Sequence, residues 1–297
     1  MARLLYGWLT AVMAAVPSRL GYAIADLLTG VHYRFFPSRR HAALANLAVI
    51  MPGATRRERA RMVRHMMRSY NRMMFEFFRL PHLPREELVA SVEVVGREHI
   101  ERALADGRGC ILTCTHIGNW ELAAVMVALW GHALHAVAGV QLSRWLNDAV
   151  RETKSELAIV TVSPEDGFRK LWRALERNDP IALMVDGDIY RQGSAVEFFG
   201  RETPWPAGPG VLASRTGSPV CCGYCERVAP GRFRIVVEPP LDPADFDSIA
   251  AINARVAALS ERHIREHLDQ WCIFRPLWET ANADAAETAV GARHAEA

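Results

Sequence analysis

CTHIGNWELAA, residues 114–124, sets a histidine, a glycine, an asparagine, a tryptophan and a glutamate between two apolar runs, 110–112 and 122–130. A segment that only builds core avoids such residues, because a buried polar group without a hydrogen bond costs free energy. The first run is short and rich in strand formers; the second has the length of a helix. The stretch therefore reads as strand, turn and helix. The strand ends near Thr115, His116 sits at its carboxyl end, and Gly118, Asn119 and Trp120 lead into a helix carrying Glu121. Ligands of open α/β sheets bind beyond the carboxyl ends of the strands, so chemistry is expected here.

Outward from this unit the same alternation continues. Strand-like runs at 92–95, 110–115, 135–140, 159–162, 181–185, 220–224 and 233–237 are separated by amphipathic helical segments. One of these, SPEDGFRKLWRALERND at 163–179, has Ser163 as N-cap, Pro164 at the first helical position, Asp166 completing a capping pattern, and one apolar face of Phe168, Leu171, Trp172 and Leu175. A last amphipathic helix carries Ile249, Ile252, Val256 and Leu259. The expected fold is α/β, a mixed, largely parallel sheet flanked by helices.

Residues 1–90 read differently. Met62, Met66, Met73, Phe77 and Leu80 recur at helical spacing, and Pro37, Pro52, Pro81 and Pro84 punctuate the helices. Residues 4–16 are an apolar run that spans about 20 Å as a helix at ~1.5 Å per residue, short of a ~30 Å hydrocarbon core. A second apolar run, 20–31, contains Asp26. The pair suits a helical hairpin lying on a bilayer surface; a cleaved signal peptide fits less well, since no clean A-x-A site follows. The expected organisation is one continuous domain: a helical, membrane-associating part at 1–90, the α/β core at 91–280, and a small, polar, disordered tail at 281–297.

Between positions 34 and 85 lie twelve arginines against Glu58 and Glu76, although the whole chain carries only +2. Such a block suits phospholipid headgroups, a phosphorylated substrate or an acidic carrier protein. Lysine is confined to Lys154 and Lys170, which makes the arginine richness partly compositional and argues against a nucleic-acid partner. The six cysteines mostly sit in apolar, strand-like runs, as buried thiols do, and the C-x-x-C of Cys222 and Cys225 has no second ligand pair for zinc.

The H-x-x-x-x-E spacing of His116 and Glu121 is not the i, i+4 histidine pair of a zinc helix. It lets the Glu121 carboxylate reach back to one ring nitrogen, fix the tautomer and leave the other nitrogen as a base. A base so oriented removes the proton of an alcohol attacking a carbonyl. G-x-S-x-G is absent and Cys114 lies on an apolar strand, so direct transfer to a hydroxyl is favoured over a covalent acyl-enzyme. A core histidine held by local hydrogen bonds is the plain alternative. Five polar or special residues at one strand end favour function.

THIGNWE resembles the signature of the lysophospholipid acyltransferase superfamily. SRRHAALANLAVIMP at 38–52, NDAVRETKSE at 147–156, MVDGDIYRQGSAVEFFGRETPWPAGPGVLASRTGSPV at 184–220 and IREHLDQWCIFRPLW at 264–278 resemble successive blocks of the late lipid A (lauroyl and myristoyl) acyltransferases, a group that also includes enzymes acylating mannosylated phosphatidylinositol. The resemblance implies His116 as general base with Glu121 as its orienting partner. It implies substrate-binding roles for Asn147, Arg151, Asp186, Asp188, Phe198, Phe199 and Gly200, with the FFG block and the prolines after it walling an acyl groove and Arg151 contacting phosphate or the oxyanion. It implies no metal and no cofactor beyond an acyl-carrier-protein or coenzyme A thioester. The site expected for the enzyme is the cytoplasmic face of the inner membrane, peripheral or monotopic, with a lipid acceptor.

Two departures from the family pattern, QWCIFRPLW near the end and VDGD at 185–188, leave the acceptor open between a lipid A precursor and another anionic lipid. Two rival readings are a non-catalytic lipid-binding protein of the same fold and a metal-dependent hydrolase built on His116, Glu121 and Asp186. His263 and His267, spaced i, i+4, read as a solvated helix face.

Overall fold

The computed structural model describes residues 2–137, 151, 154–155, 157, 159–163, 167–187 and 193–278. Seven strands form one sheet: β1 (Val92–Val95), β2 (Cys110–Gly118), β3 (Leu134–Val137), β4 (Ile159–Val162), β5 (Pro180–Met184), β8 (Val220–Ala229) and β9 (Arg232–Val237). Their order is β1-β9-β8-β2-β5-β3-β4, and every neighbouring pair is parallel except β8 with β9. The largely parallel α/β sheet expected from the alternation is present. β2, which carries His116, is its central strand.

Parallel strands need long crossovers, and helices supply them on both faces. On one side lie α6 (Arg97–Ala105) and α7 (Trp120–Leu129), whose Ile100, Leu104, Leu122, Val125 and Met126 pack with Cys110, Leu134 and Ile235. On the other lie α8 (Gly167–Glu176), α9 (Gly208–Thr216) and α10 (Ile249–Glu266), where Leu171, Leu175, Leu212, Val256 and Ile264 pack with Ile111 and Ile181. Ser248 caps α10 by accepting from the Ala251 amide. The expected capping residues Pro164 and Asp166 of α8, the end of the third expected strand at 138–140, and the tail at 281–297 lie outside the described residues.

β2 runs three residues past its expected end at Thr115. The C-terminal segment extends it: the Cys272 amide donates to His116 O at 2.8 Å, and Ile117 bridges to Trp271. At Gly118 the backbone has φ +59°, and a Cβ would lie 2.1 Å from the Cys225 carbonyl oxygen, so only glycine lets β2 close against β8 before α7 begins. A second small sheet was not foreseen. β6 (Ser194–Phe198) and β7 (Arg201–Trp205) form an antiparallel hairpin whose turn is Phe199 and Gly200. Pro204 is tolerated there because a two-stranded ribbon has a free edge.

The N-terminal part is helical throughout: α1 (Ala2–Ala15), α2 (Ser18–Phe35), α3 (Pro37–Ile50), α4 (Arg56–Arg79) and α5 (Arg85–Ser91). α4 opens with a capping box in which Thr55 and Glu58 satisfy each other's backbone groups. α2 buries Tyr22, Ala25, Thr29 and His32 against it and turns Leu20, Ile24, Leu27, Leu28, Val31 and Phe35 outward, with Leu27 75% and Phe35 70% exposed. Those six recur along one helix face. Among the described residues no single helix is long and apolar enough to cross a membrane; α1 and α2 meet at 114°.

Candidate active site

His116 lies where the opening stretch put it, but its partner is not the expected one. Asp186 follows β5, the strand beside β2, and is fully buried. Its Oδ1 is 2.7 Å from His116 Nδ1, and its Oδ2 accepts from the His116 amide at 2.7 Å and from the Trp271 indole at 2.8 Å. One carboxylate thus fixes both the ring and the backbone of His116. Burial alone would raise the Asp186 pKa; the attraction of His116, with the hydrogen bonds from His116 and Trp271, outweighs it and holds the carboxyl below its ordinary value. With Nδ1 engaged, Nε2 is the nitrogen left to act on a substrate. The Trp120 ring packs edge-on against the imidazole at 4.9 Å.

The expected hydrogen bond from the His116 ring to Glu121 is therefore not the one formed. Glu121 takes Lys154 instead, with Nζ 2.7 Å from Oε2 and 3.0 Å from Oε1, both side chains largely buried. The physical reason is the longer β2: His116 is still in extended backbone, so the carboxylate nearest its ring comes from the adjacent strand rather than from the helix after it.

His116, Glu121 and Lys154 face one cavity of about 310 Å³ between the sheet and α7, and Asp186 supports the imidazole from behind. His116, Trp120, Glu121 and Lys154 supply its polar and aromatic groups, while Leu112, Ala124, Val127, Ala136 and Met184 make the rest apolar. A mostly apolar chamber with a few convergent polar groups is the usual form of a small-molecule site.

The remaining expected site residues divide. Asp186 is in the site, as a partner of the histidine. Phe198, Phe199 and Gly200 do not wall this cavity. Phe198 and Phe199 are buried with Trp205 and Trp278, and the Phe199 amide donates to Glu261 of α10, because the hairpin turn docks on that helix. The wall comes from the prolines and glycine that follow, Pro206, Gly208 and Pro209. Arg151 is exposed and away from the cavity lining; Lys154, three residues on, is the cation there. Asn147 and Asp188 lie outside the described residues. His263 is no solvated residue: it is buried, its Nε2 is 2.9 Å from Glu238 Oε1, and burial lowers its pKa. Among the described residues no three His, Cys, Asp or Glu side chains converge as a metal set.

Comparison with known proteins decides the family. The sequence matches the family described as bacterial lipid A biosynthesis acyltransferase over residues 2–280. The chain belongs to that family. Within the lipid A biosynthesis acyltransferase family it is 30% identical to a phosphatidylinositol mannoside acyltransferase of Mycolicibacterium smegmatis over 77% of this chain and 76% of that protein. It is also 30% identical to one of Mycobacterium tuberculosis, over 71% of this chain and 68% of that protein. A crystal structure of the 1-acyl-sn-glycerophosphate acyltransferase PlsC from Thermotoga maritima aligns with a TM-score of 0.41 and 17% identity, covering 84% of this chain and 99% of the other. The α/β architecture stands on the strand order itself. The family membership makes the protein an acyltransferase acting on a lipid.

The sequence alone assigns no role to Trp271 or Lys154, whereas Asn119, expected at the turn, caps α7 by accepting from the Leu122 amide. Lys154 did carry a signal, since a chain that otherwise uses arginine keeps only two lysines.

Proposed function

We propose that this enzyme moves a fatty acyl group from a carrier-protein or coenzyme A thioester to a sugar hydroxyl of an anionic membrane glycolipid, with His116 as general base and Asp186 as its orienting carboxylate. The observation that carries this reading is the His116 ring, held through Nδ1, opening onto an apolar chamber suited to an acyl chain. Nε2 takes the hydroxyl proton as the oxygen attacks the thioester carbonyl. The carbonyl then re-forms, the carbon–sulfur bond breaks, and the thiolate leaves with the proton from His116. Lys154, steadied by Glu121, supplies positive charge in the same chamber for the oxyanion between these steps. No step requires a metal ion or a cofactor.

For the acceptor, the mannosides of the two mycobacterial relatives favour a mannosylated phosphatidylinositol, and the family description favours a lipid A precursor. The exposed apolar face of α2, beside the arginines of α4, supports peripheral attachment to the cytoplasmic face of the inner membrane. The test is transfer of a radiolabelled acyl chain from acyl-carrier protein or coenzyme A to each purified acceptor. Label in one of the two lipids names it. Thioester-independent binding of lipid without transfer would establish the non-catalytic reading instead.

A further inference from the structure

A second cavity, of about 280 Å³, lies on the other side of α7 at the elbow between α1 and α2. α7 gives it Asn119 and Leu122, whereas Trp120, Glu121, Ala124 and Val127 face the acyl chamber, so one helix is the wall between the two. Ser18, Tyr22, Glu76, Arg79 and Arg232 supply its polar lining. Glu76 is neutralised by Arg227, which reaches it at 2.7 Å, and is further satisfied by Tyr22 and Asn119. That leaves the guanidinium groups of Arg79 and Arg232 against the exposed Glu87, a net positive lining.

Arg79 Nη1 donates to Ser18 Oγ at 2.6 Å, its guanidinium carbon lies 5.2 Å from the centroid of the Phe75 ring, and its buried Nε has no hydrogen-bond partner within the chain. A buried guanidinium N–H left unmet costs on the order of a kcal/mol or more. Arg232 is tethered to the Ala90 carbonyl through Nη1, which aims the rest of its fork. Planar forks of this kind match phosphate oxygens. The helix that starts at Ser18 carries the exposed stripe of Leu20, Ile24, Leu27 and Leu28, an apolar surface for hydrocarbon tails next to the polar cavity.

We infer that this elbow cavity is a second lipid site, which holds the phosphodiester headgroup of a membrane phospholipid between Arg79 and Arg232, separately from the acyl-transfer chamber. It goes beyond the transfer reaction and does not depend on His116.

The probe is dihexanoyl phosphatidylinositol below its micellar concentration, titrated into the full chain by calorimetry, with the zwitterionic phosphatidylcholine analogue alongside. Saturable binding is expected, weakened about ten-fold or more in Arg79→Gln and in Arg232→Gln, and unchanged in Arg255→Gln, which removes the same charge from an exposed position on α10 away from the cavity. Thermal melts accompany each variant; if Arg79→Gln does not fold, Arg232→Gln and Ser18→Ala carry the decision. Equal loss in Arg255→Gln, or no saturable binding at all, overturns the site. Displacement of the probe by palmitoyl pantetheine, a thioester without phosphate, would place the headgroup in the transfer chamber and also overturn it. His116→Ala should bind the probe as the native chain does, whether or not the proposed transfer chemistry is right.

Discussion

Two buried carboxylates serve a basic side chain in this molecule, and they do opposite work. Glu76 and Arg227 are sealed: Tyr22, Asn119 and Ser69 add hydrogen bonds, and both charged side chains are under a tenth exposed. Burial opposes the charge of Arg227, but the attraction of Glu76 exceeds it and raises the arginine pKa above its ordinary value. Every arm of that pair is used within the protein. The pair joins α4 to β8, while Tyr22 brings in α2 and Asn119 the start of α7. Asp186 and His116 are equally well anchored on one side, yet the pair borders a cavity and the imidazole keeps a nitrogen for it. A closed ion pair holds elements together; one left open at one atom can carry a proton. Glu121 and Lys154 resemble the second kind, bordering the same cavity.

The largest effect should come from His116→Ala, which is expected to lower acyl transfer by roughly 10²–10⁴-fold in protein that still folds, the backbone amide of residue 116 and the Trp271 indole continuing to satisfy Asp186. Full activity in that variant would erase the contrast between the two pairs. Glu76→Ala should do the reverse. Leaving Arg227 buried and unpaired is expected to cost about 3–5 kcal/mol of stability, read by chemical denaturation, and any loss of activity should follow loss of folded protein. A stable, inactive Glu76→Ala would move that carboxylate into the chemistry.

Between these lie the two site acids. Asp186→Asn is expected to reduce kcat by about 10²-fold or more with little change in KM, since a misoriented imidazole damages the step rather than binding. Glu121→Gln should be milder than Asp186→Asn, and Lys154→Met should lower kcat by about 10²-fold. An opposite ranking of Glu121 and Asp186 in steady-state assays would restore Glu121 as the partner of His116.

The smallest expected signal is in pH dependence. Because the folded-state pKa of Asp186 is depressed, its contribution to stability is fully present above the unfolded value of about 3.9 and is lost only as pH falls through the lower folded value. Native and Asp186→Asn proteins melted across the acid range should converge at the lowest pH. A gap that stayed constant would mean that Asp186 is not held below its ordinary pKa.

Much of this was legible along the chain because its signals are local. The alternation of strand and helix patterns gave the sheet, and Gly118 with Asn119 marked the turn at the end of β2. The apolar runs around Pro17 located the bent helix pair. The FFG block was harder, since an apolar turn reads alike whether it lines a groove or packs into a core; the docking of β6–β7 on α10 settles it inward. His263 was misread for the same reason, its partner Glu238 lying 25 residues away.

Sequence by itself determined the α/β class, the place of His116 toward the carboxyl end of its strand, and the family through the order of its motifs, because each depends on residues close together in the chain. Which carboxylate meets the imidazole was decided only in three dimensions. Asp186 is 70 residues from His116 and Trp271 another 85 beyond it, and they converge because β5 pairs beside β2 and the C-terminal segment bridges to its end. Strand order, which no local spacing encodes, selects the pair.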